Sequence, residues 1–264
     1  MLNLNSFFLY VVLPAFTLLM IFTNRYYYSK KESRRMRFNM REELFFGNIV
    51  SPILGLIAVL AIYSNILNVR FVWELKWEML VIFSITILSL VIGIGIGAHI
   101  AAVSIEKSMP EDKPTPETSD VLYFFHWPFG HKLTFIPTAL MFYLLLLFDL
   151  LKGTPDPLKL HQIALLTTCA VTLGVFSTIV FIITHVTRII FFTFGTLLLS
   201  ILLVLTLEDI TLVDHVIGYF FTILYASVFI MVSIYRYIHR ISPKLHRYIQ
   251  LRIPNGDKVT DIEL

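Results

Sequence analysis

Four histidines and one carboxylate in this chain have side chains and positions suited to chemistry. His99 and Glu106 lie in IGIGIGAHIAAVSIE (Ile92–Glu106), His126 and His131 in FHWPFGH (Phe125–His131), and His185 in THVTR (Thr184–Arg188). Neutral imidazoles and a carboxylate are the usual ligands of a catalytic zinc, which keeps one position open for water. The sequence therefore assigns His99, His126 and His131 as metal ligands, with zinc as the metal. Glu106 is the fourth ligand or the general base. His185 or Arg188 meets negative charge developing on a substrate. Residues His126 and His131 stand five apart, which is no diagnostic metal spacing, so convergence has to come from the fold.

The elements that must position these residues read as helices. Gly95, His99, Ala102 and Glu106 recur at helical spacing and share one face. On another face Gly93 and Gly97 form a small-xxx-small pair suited to close helix approach. Loop Glu106–Asp120 is polar with three prolines, and Thr118, Ser119 or Asp120 can cap a short helix over Val121–Trp127. Pro128 and Gly130 are expected to turn the chain there, bringing the rings of His126 and His131 to one point. Farther on, Thr167, Gly174, Thr178 and His185 form a polar and small stripe that should face protein.

Composition sets the surroundings. Of 264 residues, 57% are hydrophobic and 15% charged, and the mean hydropathy is +0.78. Soluble domains carry about 25% charged residues, so lipid is the main solvent. The expected fold is all-α, a polytopic membrane bundle of seven helices: Ser6–Thr23, Leu44–Leu67, Met79–Ile105, Leu133–Leu151, His161–Thr184, Ile189–Leu207 and Ile210–Tyr235. Residues 1–240 form one transmembrane domain and 241–264 a cytoplasmic tail. Of the 21 Lys and Arg, all but Arg70, Lys76, Lys152 and Lys159 fall on one side of that arrangement. This bias orients the N-terminus outside and the C-terminus in the cytoplasm, with the cell membrane as the expected location. All the candidate site residues then lie at the cytoplasmic end. His99 sits about 9 Å inside its span, where a polar group is costly unless it has a task. A second polar group, Asp149, His161, Glu208, Asp209, Asp214 and His215, falls at the outer ends of spans four to seven.

The expected partners are the bilayer and a lipid or other interfacial substrate. Basic residues in Asn24–Glu43 act as topology determinants, so no nucleic-acid partner is implied. The lone Cys169, within an apolar run, excludes an internal disulfide and a thiolate metal cluster. Walker, GxSxG, HExxH and GxGxxG motifs are absent, and the seventh span has no HxxxH pair. Two rivals to a metal-dependent hydrolase or transferase remain from sequence. One is a proton- or ion-coupled transporter or channel with His99 as relay, and the other is a non-catalytic scaffold.

Overall fold

The computed structural model describes residues 10–11, 13–27, 36–37, 40–41, 50, 53, 75–108, 116–152 and 157–242. Helix α1 covers Leu13–Tyr27, α2 Leu75–Ser108 and α3 Pro116–Phe124. A π-helix at Phe125–Gly130 follows α3 directly and leads into α4, His131–Lys152. Then come α5 (Leu160–Ile183), α6 (Thr187–Leu207), a short 3-10 turn at Leu212–Asp214, and α7 (Val216–Ile241). The strand pairing among the described residues is a two-residue antiparallel ladder, Met36–Arg37 with Met40–Arg41, in the basic segment.

Five helical stretches are long and apolar enough to cross a membrane: Phe83–Ile105, Glu117–Leu151, Leu160–Ile183, Thr187–Leu207 and Val216–Ile241. They overlap predicted spans three to seven, with the fourth run beginning earlier, at Glu117, and the seventh shifted to Val216–Ile241. The first predicted span, Ser6–Thr23, is described only in part, where it overlaps the 15 residues of α1. The second span (Leu44–Leu67) is described only at residues 50 and 53, and most of the tail falls outside the described residues.

Helices α5 and α7 form the middle of the bundle. Their backbones come so close that a Cβ at Gly174 would stand 2.6 Å from the Cβ of Ser227. Thr167 on the same stripe pairs its hydroxyl with Tyr219 at 2.8 Å, and Thr178 is buried. The polar stripe of the fifth span therefore faces protein, as its composition predicts. Tyr225, fully buried on α7, donates to the carbonyl of Ala139 on α4 at 2.6 Å, and Tyr143 of α4 pairs with Ser200 of α6. Cys169 is buried and packs in the apolar core. Outward, Phe83, Leu90 and Ile94 of α2 and Phe192, Leu199 and Leu203 of α6 are exposed. In water such surfaces would be costly, whereas hydrocarbon accepts them.

The α5–α6 connection has no glycine or proline, yet the chain turns within three residues. His185 takes φ 54°, and the amides of His185 and Val186 donate back to Ile182 and Phe181 at 3.3 and 3.1 Å. These are the paired bonds of a Schellman ending, with histidine where glycine is usual. Asp209 repeats the device after α6 with φ 51°, and Ile210 donates to Leu205 at 3.1 Å. A side chain in this conformation costs about 1 kcal/mol or more. Burial also draws the His185 pKa below its ordinary range. The unfolded chain then binds more protons, so this contribution to stability is full above pH ~6.5 and declines as the pH falls. We expect His185→Gly to raise stability at pH 7 by about 0.5–1 kcal/mol and to weaken its acid dependence, read from unfolding in detergent at two pH values.

Candidate metal centre

His99 on α2, His126 in the π-helix and His131 at the start of α4 come together. Ring centroids lie 4.6 Å apart for His99 and His131, 4.9 Å for His99 and His126, and 5.8 Å for His126 and His131. One ring nitrogen from each falls within 4.8 Å of the others. His131 is buried at 9% exposure, and its Nε2 has no hydrogen-bond partner among the described residues. His99 and His126 are half-buried. A buried ring nitrogen without a partner carries a free-energy cost that a metal ion would remove.

The convergence arises from the π-helix rather than from the predicted turn. Pro128 and Gly130 do not reverse the chain: the residues flanking the π-helix, Phe124 and His131, keep right-handed helical angles, φ −60° and −69°. In an α-helix, residues five apart sit about 140° around the axis from one another. Hydrogen bonding from i to i+5 widens the turn, so that His126 and His131 come onto the same side. Proline supplies a reason for the widening. Pro128 has no amide to donate, and its ring would clash with the carbonyl four residues back in a regular α-helix.

Two glycines let α2 reach this turn. A Cβ on Gly130 would lie 2.8 Å from the Phe125 carbonyl oxygen, 3.0 Å from the His99 Cβ and 3.2 Å from its Cα. One on Gly95 would meet the backbone of Leu133 and Thr134 at 2.8 Å. Ala102 is buried on the same face, so the predicted Gly95–His99–Ala102 face is the packed one. Gly93 and Gly97 have nothing within 4 Å among the described residues, and the close approach to α4 is made at Gly95. Gly130→Ala should cost about 1–3 kcal/mol and separate His99 from the other two rings. Unfolding measurements together with metal content would check both effects.

Trp127 is the member of the site that the sequence reading passed over. Its indole stacks on His126 at 4.6 Å, touches His131 at 5.4 Å and meets His185 edge-on at 5.6 Å. His185 is thereby brought beside the site through its contact with Trp127. Its ring is neutral at pH 7, since burial disfavours the cation. His131 stacks in turn on Phe135 at 5.4 Å and 9°, and Phe135 meets Phe181 at 5.1 Å, tying the centre to the core. Arg188 is exposed in the first turn of α6, with no contact to the triad among the described residues. The backbone of Glu106 continues α2 seven residues beyond His99, and its side chain falls outside the described residues.

The polar residues assigned to the outer ends of the spans cluster at the opposite end of the bundle. There Asp149 of α4 accepts from the amides of Ile217 and Gly218 at 2.9 and 2.7 Å, capping α7 from another helix. His161 pairs with Tyr10 at 3.0 Å. With Asp209 at its left-handed turn position, three of that predicted group have structural roles. Compared with known families, curated proteins and solved structures, the chain yields no match.

Proposed function

We propose that His99, His126 and His131 hold a zinc ion, and that the protein is a multi-pass membrane hydrolase or transferase acting on a lipid or another substrate at the membrane interface. One observation carries this reading: three imidazole nitrogens from separate elements lie within 4.8 Å, and the Nε2 of the most buried ring, His131, has no hydrogen-bond partner among the described residues. Ligand nitrogens around tetrahedral zinc stand about 3.3 Å apart, so the rings need to close by ~1.5 Å, within reach of side-chain rotation. Three protein ligands leave a fourth position, where a bound metal would activate water or polarise a carbonyl. His185 is neutral and can donate a ring N–H toward developing negative charge, and Glu106 remains the proposed base. The seven-span arrangement with the N-terminus outside also remains a proposal. It is supported by the charge bias and by Tyr10, at the head of α1, meeting His161, at the head of α5.

A through-path for ions has less support. Among the described residues between the two polar ends, Leu145, Leu146, Phe181, Phe194, Leu166 and Leu173 are buried and apolar, and the buried hydroxyls of Thr178 and Tyr225 donate to the backbone carbonyls of Gly174 and Ala139. Elemental analysis of the purified protein should find about one zinc per chain, and His99→Ala and His126→Ala should each lower it severalfold. A protein carrying no stoichiometric transition metal would remove the proposal.

A further inference from the structure

The position and surroundings of the triad narrow the substrate, on the proposed reading that the triad binds a metal. Helix α4 runs His131–Lys152, 22 residues, or about 33 Å at 1.5 Å per residue, against a hydrocarbon layer of about 30 Å. Counted back from Asp149, the 18 residues to His131 span about 27 Å, which puts His131 near the opposite boundary, within the apolar helical run Glu117–Leu151. His99 and His126 pack against it, His99 from a position six residues, about 9 Å, inside the Ile105 end of its own span. The ester and amide carbonyls of membrane lipids occupy that boundary layer, between headgroup and acyl chain.

Beside the triad lies an exposed aromatic surface. Phe124, Phe125 and Phe129 pack mutually at 5.4–5.7 Å between ring centroids. Phe124 is 50% exposed and Phe125 41%. They belong to the apolar run Glu117–Leu151, which is continuous with the membrane-spanning part of α4. The patch thus extends the lipid-facing surface of the bundle to His126, the residue that follows Phe125. A water-borne polar substrate gains nothing from three clustered phenylalanines at the entrance, whereas an acyl chain buries against them.

We infer that the triad takes a membrane lipid, engaged at the carbonyl that joins its acyl chain and admitted sideways from the bilayer across Phe124, Phe125 and Phe129. The inference concerns binding and approach, and it names the ligand by the chemistry it presents: an acyl ester or amide at the hydrocarbon boundary.

The test uses the full chain loaded with cobalt(II), which suits the same ligands as zinc. It is placed in nanodiscs of phosphatidylcholine, phosphatidylethanolamine and ceramide, each 13C-labelled at the acyl carbonyl. Electron–nuclear double resonance at the cobalt should show coupling to the carbonyl 13C, and none when the label sits at the chain end. Replacing both exposed phenylalanines, Phe124→Ser with Phe125→Ser, should weaken the coupling about tenfold, the scale of one lost aromatic contact, at unchanged cobalt content. Bound cobalt with no carbonyl coupling overturns the lipid assignment and leaves the metal reading in place. Equal coupling to carbonyl and chain-end labels also overturns it. Failure to bind cobalt at all overturns the metal reading itself.

Discussion

Replacing His131 by alanine should lower metal affinity by at least about 100-fold while the bundle stays folded. Loss of a residue that merely supports a ligand already costs 10–100-fold, and His131 is proposed as a ligand itself. It is also the most buried of the three, its Nε2 has no hydrogen-bond partner among the described residues, and its ring stacks on Phe135. His185→Ala is the matched control. His185 meets Trp127 and is not one of the three converging rings, so metal content should stay within about twofold of the parent. Competition with a chromophoric chelator measures both. Equal loss in the two variants would mean that His185 belongs to the ligand set, and no loss in either would mean that the triad holds nothing.

At the other end of the molecule, Asp149→Ala should destabilise the fold by about 2–4 kcal/mol and leave metal binding untouched. The carboxylate caps two amides at the head of α7, and alanine would leave both without their acceptor. Asp149→Asn keeps an acceptor oxygen at that place and should cost less than about 1 kcal/mol. Unfolding in mixed detergent would separate the two variants. A mild alanine variant would show that water replaces the carboxylate and that the cap contributes little.

Long apolar runs carry the helical, multi-pass character in the sequence, because a bilayer imposes length and composition on whatever crosses it. The candidate histidines were legible for a related reason: an imidazole at the end of an apolar helix is costly without a task. The means of their convergence was not. Reading Pro128 and Gly130 as a turn follows their ordinary use, yet the flanking helices hold the chain straight and the irregularity becomes a π-turn. Gly95 rather than Gly93 or Gly97 meets α4, since spacing identifies a possible face and only packing selects one. Trp127 was hidden because tryptophan near a membrane boundary is unremarkable by itself. The signal for it was its adjacency to His126, and even that could not reveal contact with His185 across the bundle.

The α5–α6 turn shows the same limit from another direction. No residue in Thr184–Arg188 announces a chain reversal, and the reversal falls on His185, one of the few residue types that enter the left-handed region with any frequency. A residue singled out as a charge-stabilising group thus also has a backbone task. The two tasks separate experimentally, because glycine satisfies the turn and removes the ring.

X-ray absorption at the zinc edge on the purified, membrane-reconstituted protein tests the central claim most directly. The triad predicts three imidazole nitrogens and one further light atom at about 2.0–2.1 Å, with the multiple-scattering pattern of histidine rings. A first shell of water and carboxylate oxygens without imidazole scattering, or no zinc edge at one ion per chain, would contradict it.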